Sequence, residues 1–229
     1  MDSVAPTTGV QTLDRSVAVL AAVAAAGTLS LAELTGATGI PRPTAHRLAV
    51  ALERHGLLRR ASDGRFRLGG RLVGWGAAAV RGWPLVDAAQ PVLDRLRDDS
   101  GESAQLYVRD GDHRVCVASA ERSSGLRDTV PLGATLPLDK GSGGTVLRAF
   151  AGAKGRRFDE VRARGWAESI AEREPGVASV SAPVLGLGGD LLAALSISGP
   201  IDRLGRTPGR RLAASVVAAA RALADAARE

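Results

Sequence analysis

Two groups of residues in this sequence could do chemistry. Gly141-Ser142-Gly143-Gly144-Thr145 reads as the opening of a helix. Backbone N–H groups at such an end can hold a carboxylate, and glycines let a ligand come close. Lys140, just before, would add positive charge. Ser196 and Ser198 alternate along a strand-like run, so both face the same side. This is the pattern of a pocket for a small anion; a Gly-rich turn with two satisfied core serines is the competing reading. The second group is basic. Arg42, Thr44, His46 and Arg47 open a helix, and Arg59, Arg60, Arg65 and Arg67 crowd a short hairpin. The arginine fork matches guanine O6 and N7, and a basic hairpin tip can grip phosphates on either side of a groove. A solvated basic turn beside an ordinary helical hairpin is the alternative here.

Other chemistries fit poorly. Ser142 is flanked by glycines, but Gly-x-Ser-x-Gly is absent. A Ser-His-Asp arrangement would have to use His113, because His46 and His55 lie in the basic unit. No catalytic residue is expected, and the chain does not read as an enzyme. Gly141–Thr145 is neither Gly-x-Gly-x-x-Gly after a strand nor Gly-x-x-x-x-Gly-Lys-Ser/Thr, so no nucleotide cofactor is expected. His113 and Cys116 are too few ligands for structural zinc, so no metal is expected either. Cys116 reads as a strand core residue without a resolving partner. Arg122, Arg127 and Asp128 mark a loop that could meet an effector or a partner subunit, or hold a surface ion pair of little energy.

The elements that would position these groups follow from local signals. Residues 1–10 read as a loose arm. A first helix begins at Gln11 with Leu13, Val17, Leu20 and Val23–Ala24 as one apolar stripe, and Gly27 ends it. Ser30-Leu31-Ala32-Glu33 is a capping box for a short helix to about Ala37. Pro41 and Pro43 sit where a missing N–H costs little, at the start of a helix running from Arg42 to His55. Leu57–Arg60 and Arg65–Leu68 flank Ser62-Asp63-Gly64, a hairpin signal. Helix, turn, helix and hairpin make a winged helix-turn-helix whose second helix enters the major groove.

Leu72, Trp75, Ala79 and Trp83 are spaced for one helical face, and both tryptophans want burial. A second copy or the following domain could cover them. Pro84 starts a further helix. Ala104–Val108, Arg114–Ala118, Asp128–Pro131, Ser179–Leu185 and Leu191–Ser198 read as strands. Thr145–Phe150, Phe158–Arg164 and Arg210–Arg228 read as helices. The fold class is therefore α/β in the α+β sense, with an antiparallel sheet. The expected domains are 1–70 for DNA, 71–83 as linker helix, and 84–229 for effector binding and oligomerisation.

The 229 residues suffice for one large or two small domains, and 45 % hydrophobic with 24 % charged residues is an ordinary soluble balance. A single cysteine excludes an internal disulfide and suits a reducing cytosol. The charge of +6 permits nucleic-acid binding without requiring it. Ser16–Ala32 is uncharged but follows no basic segment, so it is not read as a leader. It is also shorter than the ~20 residues of a membrane helix. A cytoplasmic protein without membrane contact is expected.

Pro41-Arg42-Pro43-Thr44-Ala45-His46-Arg47-Leu48 resembles the recognition helix of the IclR family of bacterial transcription regulators. Gly64–Gly69 is similar to the family's wing, Arg127–Leu138 to its mid-domain loop, and Glu174–Val177 and Ala194–Pro200 to two late motifs. Gly101–Tyr107, Ser124–Pro131 and Glu172–Pro183 are closer to the actinobacterial NdgR/AreB branch. The resemblance implies a homodimeric or tetrameric regulator with a GAF-like effector domain, acting on double-stranded DNA with paired half-sites. It implies an effector such as leucine or a related carboxylate, and targets in leucine biosynthesis and antibiotic production. It also places Gly141, Ser142, Gly143, Ser196 and Ser198 at the effector pocket. Ser169, or Ile170, stands where many members carry a carboxylate, and Ser179 where some carry a cysteine. Asp139-Lys140-Gly141 replaces the usual His-Ala-Thr, and the shortened Ala151–Asp159 removes part of one wall. A ligand-sensing regulator that acts through a protein partner, without reading DNA, is the alternative function.

Overall fold

The computed structural model describes residues 9–228, so most of the expected N-terminal arm lies outside it. The chain divides into two compact units, Met1–Arg81 and Gly82–Glu229.

In the first unit, α1 (Gln11–Ala26), α2 (Leu31–Thr38) and α3 (Arg42–Arg54) precede the wing strands β1 (Leu58–Arg60) and β2 (Phe66–Leu68). The capping box at α2 is present: Ser30 Oγ accepts from the Glu33 amide at 3.3 Å, and Glu33 accepts from the Ser30 amide at 2.7 Å. Gly39 ends α2 in the left-handed conformation. Val19, Val23, Leu34, Ala45, Ala49, Leu52, Leu58 and Phe66 form the core. Leu29 bridges to Phe66, which fastens the wing to the helices. The stripe expected on α1 is only half inward. Val23 is buried, but Leu13 and Val17 face out, because α1 packs through the side that carries Val19. Helix α4 (Arg71–Val80) follows and buries none of its residues. It stops before Trp83, which caps α5 (Pro84–Asp87), so Trp75 and Trp83 do not share a helix.

The second unit is three layers. Its sheet contains β3 (Ser103–Asp110), β4 (His113–Ala120), β5 (Thr135–Pro137), β6 (Ala167–Ile170), β7 (Val177–Leu185) and β8 (Leu191–Pro200). The order is β5-β4-β3-β8-β7-β6, and every pairing is antiparallel. Helices α6 (Ala89–Ser100) and α10 (Gly209–Ala226) cover one face with a continuous apolar core. Ala178, Val180, Ala182, Val184, Ala193, Leu195 and Ile197 point into it at every second position. Helices α7 (Gly141–Phe150) and α8 (Arg156–Arg164) lie on the opposite face, and the short α9 (Ile201–Leu204) joins β8 to α10.

One strand expectation changes, and two short strands, β5 and β6, were not expected. Residues 128–131 are not a strand but part of the irregular loop 121–134. The edge strand is β5, which pairs with β4 through Arg114↔Leu136. β6, only four residues long, carried no recognisable period in the sequence.

Candidate functional site

The face of the sheet under α7 is polar at its centre, and register explains why. Ser169 opposes Ser179, Ser179 opposes Ser198, and Ser181 opposes Ser196. These hydroxyls therefore share one face with Gln105 and Tyr107 of β3. Ser142, from the first turn of α7, drops onto them and bonds Ser179 and Ser181, both at 2.7 Å. Ser169 bonds Ser179 at 3.0 Å, Ser181 bonds Ser196, and Ser198 donates to Gln105 Oε1 at 3.0 Å. The five linked hydroxyls make four mutual bonds. Each hydroxyl has one proton, so one donor is left over for another acceptor.

These residues enclose a cavity. Gly141, Ser142, Gly143, Ser169, Ser179, Ser196 and Ser198 all line it, with Gln105, Tyr107, Arg114, Asp128, Arg173 and Val177. Its free space is about 20 Å³, room for little more than one water molecule. Glycine makes the close approach possible: a Cβ on Gly144 would lie 2.3 Å from the Leu138 carbonyl oxygen.

Positive charge in the cavity comes from residues that sequence reasoning missed. Arg114 is 2 % exposed. Its Nη1 donates to the carbonyls of Pro137 and Lys140, and its guanidinium lies 5.2 Å from the Tyr107 ring centroid. Among the described residues it makes no salt bridge, and its buried Nε has no hydrogen-bond partner. Burial pulls its pKa below the usual arginine value, but a guanidinium stays charged. Arg173 is the second cation; both oxygens of Asp128 accept from its Nη2 at 2.6 Å. Lys140 contributes only a backbone carbonyl, and its side chain is exposed. The Gly141 amide, expected to face a ligand, donates to Glu172 at 3.0 Å, because the β6–β7 connection brings that carboxylate to the positive end of α7. Glu172 is held there by Arg157 of α8 at 2.9 Å.

Burial also pushes the Tyr107 hydroxyl well above its ordinary pKa and the Cys116 thiol up to about 12. Cys116 is thus an unreactive core residue. Among the described residues no group of His, Cys, Asp and Glu is placed to hold a metal.

The basic surface is built on the first unit. Ala45, Ala49 and Leu52 bury one side of α3, which leaves Arg42, His46 and Arg47 exposed and Thr44 at the margin. On the wing, Arg59 stands directly opposite Arg67. Like charges in that position repel unless an anion lies between them, and neither has a partner among the described residues. Arg60 stacks 4.7 Å from the Phe66 ring centroid and is 4.0 Å from Glu53. Arg65 is turned inward: its Nη2 reaches Glu33 at 2.6 Å and so supports the cap of α2. It is the one wing arginine already matched by a carboxylate at hydrogen-bond distance.

A family model described as the IclR helix-turn-helix domain matches residues 12–62. Another, the bacterial transcriptional regulator IclR C-terminal, matches 77–157 and 155–225. The chain belongs to the IclR family. It is accordingly a DNA-binding transcription regulator, and its relatives are regulators rather than enzymes. The IclR C-terminal match falls in two segments that meet at residues 155–157, where α8 begins. The HTH-type transcriptional regulator BhcR of Paracoccus denitrificans is 29 % identical over 241 residues, covering 94 % of this chain and 86 % of that protein. The glycerol operon regulatory protein of Streptomyces griseus is 30 % identical over 220 residues, covering 85 % and 87 %. A solved IclR homologue from Microbacterium hydrocarbonoxydans, complexed with 4-hydroxybenzoate, superposes with a TM-score of 0.81 at 21 % identity, covering 95 % and 99 %. No helix among the described residues is long and apolar enough to cross a membrane.

Proposed function

We propose that this IclR-family regulator is controlled by a small carboxylate bound under α7, where the cavity, now closed to about one water's volume, opens to admit it. The observation that carries this reading is Arg114, a buried guanidinium with an unpartnered Nε at a cavity wall. Arg114 feels the Asp139 carboxylate but is bonded to none among the described residues; a buried cation without a bonded counter-charge is costly, and a ligand carboxylate would compensate it with a charge-assisted hydrogen bond. The leftover serine donor adds a second contact, and Gly141, Ser142, Gly143, Ser169, Ser179, Ser196 and Ser198 form part of the remaining wall. The 4-hydroxybenzoate complex of the Microbacterium homologue supports a carboxylate as the class. Leucine, and targets in leucine biosynthesis and antibiotic production, follow from the resemblance to the NdgR/AreB branch.

Residues 1–70 bind DNA, 71–83 link, and 84–229 bind effector and oligomerise. Effector binding shifts the population between arrangements of the paired DNA-binding units that fit or miss two half-sites. Fluorescence anisotropy on DNA from the leucine-operon promoter and the promoter beside this gene tests the reading. Specific binding altered by leucine or another small carboxylate is expected. Specific binding that no carboxylate alters would end it.

Arg42, Thr44, His46 and Arg47 supply groove contacts; Arg59, Arg60 and Arg67 supply phosphate contacts. Arg67→Ala should lower the slope of log affinity against log salt by about one. Arg65→Ala should leave that slope unchanged, since its charge is already matched by Glu33. An equal loss at both positions would place Arg65 on the phosphates.

The first unit also exposes Leu13 and Val17 on α1, and Val73 and Trp75 on α4, with Trp75 52 % exposed. Large apolar side chains left out of a core mark an interaction surface, and a second copy of the chain is the occupant. Sedimentation equilibrium should give a dimer or tetramer, and Trp75→Glu should weaken it at least tenfold. A wild-type monomer at micromolar concentration would reject this surface as an interface.

A further inference from the structure

We infer that Asp128 is the residue that restricts this cavity to ligands with a single carboxylate, a conclusion that rests on the effector reading above. Asp128 stands at the boundary between two spaces. It lines the closed cavity, and it also lines an open groove of about 340 Å³ formed with Leu126, Arg127, Thr129, Glu174 and Pro200. Its side chain is 6 % exposed and that of Arg173 is 17 % exposed, so their pair forms part of the wall between cavity and groove. The loop that carries Asp128 is held in place, because Arg203 donates to the Leu126 carbonyl at 2.7 Å and Val130 is buried in the core under α7.

Arg114 and Arg173 contribute two positive charges to the cavity wall, and Asp128 contributes one negative charge. The two cations are close together: a Cβ on Gly141 would lie 3.3 Å from Arg114 Nη2 and 3.9 Å from Arg173 Cβ. Among its lining residues the cavity wall therefore carries one positive charge in excess, located at Arg114; Glu174, which also pairs with Arg173, lies on the groove side, and the exposed Asp139 acts on Arg114 from outside the lining. One ligand carboxylate neutralises it. A second would find Arg173 already occupied and Asp128 facing it, a like-charge contact in a space of low dielectric. A ligand ammonium, by contrast, would be attracted by Asp128, so an amino acid with one carboxylate also suits the count. Asp128→Asn removes the negative charge while keeping the shape, and leaves Arg173 with only the groove-side Glu174 at 3.2 Å, so its cavity side is open to a second carboxylate.

Matched probes test this. Leucine is compared with isobutylmalonate, which has a carboxylate in place of the ammonium, and 4-hydroxybenzoate with benzene-1,4-dicarboxylate. Ligand affinity is read from the thermal midpoint of the full chain and from operator-DNA anisotropy. Wild type should prefer the monocarboxylate of at least one pair by about tenfold or more. Asp128→Asn should reverse that preference towards the dicarboxylate. A wild type that prefers the dicarboxylate, or an order unchanged by Asp128→Asn, overturns the role of Asp128 while an Arg114-dependent response keeps the cavity as the effector site. No response to any probe in either protein overturns both.

Discussion

Arg203→Ala should destabilise the second unit by about 3–5 kcal/mol, the typical cost of leaving one member of a buried ion pair alone. Glu102 is 2 % exposed, and its two oxygens accept from Arg203 at 2.6 and 2.7 Å. Without the guanidinium the carboxylate stays inside the protein with nothing to balance it. The position cannot easily relax, because a Cβ on Gly199 would sit 2.3 Å from Glu102 Oε2, so the backbone already encloses the group tightly. For a unit of this size each kcal/mol shifts the midpoint by about 2–4 °C. Calorimetry of the full chain should therefore show the transition of the second unit lowered by at least about 6 °C. The double variant Glu102→Gln/Arg203→Met should recover much of the loss, since removing both charges is far less costly than removing one. A fall below 1 kcal/mol in the single variant would mean that water reaches Glu102. The same substitution releases the Leu126 carbonyl, so it also loosens the loop that presents Asp128.

Local signals made the first unit readable. The Ser30–Glu33 box, prolines at the start of α3 and an Asp-Gly turn each act within a few residues, and all three agree. The serine wall was readable for a related reason: a period of two along β8 fixes one face. Ser181 obeyed the same rule two residues from Ser179 and was missed. Arg114 had a comparable signal, because it lies two positions from the inward Cys116, but an arginine in a strand is ordinarily solvated. Only the pairing of β4 with β5 and the approach of α7 reveal it as buried. Arg173 and Glu172 lie in a connection with no period, and their roles depend on contacts 45 and 31 residues away in sequence. Residues 128–131 show why strand patterns mislead: Val130 is buried as a strand residue would be, yet the segment has no neighbour to pair with. The α1 stripe failed for a different reason. Apolar periodicity marks a face that avoids water, and it does not distinguish a core from a surface shared with a second chain.

Arg114→Met should abolish the effector response without destabilising the protein. In the free state the guanidinium is nearly fully buried, is bonded to no carboxylate among the described residues, and leaves Nε without a partner. Replacing such a charge by an apolar group of similar length is neutral or stabilising, by up to about 1–2 kcal/mol here, with the released Pro137 and Lys140 carbonyls offsetting part of the gain. In the bound state the balance reverses. A ligand carboxylate would lose its charged donor inside a closed space, which costs about 2–5 kcal/mol, a factor of 30 or more in affinity. Operator binding in the absence of effector should not change, because Arg114 lies in the second unit and the basic helix and wing in the first. Thermal unfolding and anisotropy titrations on one preparation separate these effects. A midpoint equal to or above wild type, with unaltered DNA affinity and no carboxylate response, identifies Arg114 as a group retained for binding at a cost to stability. A stability lowered by about 2 kcal/mol or more, a midpoint shift of about 4–8 °C, would instead make Arg114 a structural clamp on the two carbonyls, and a preserved response would move the carboxylate to the amides of α7.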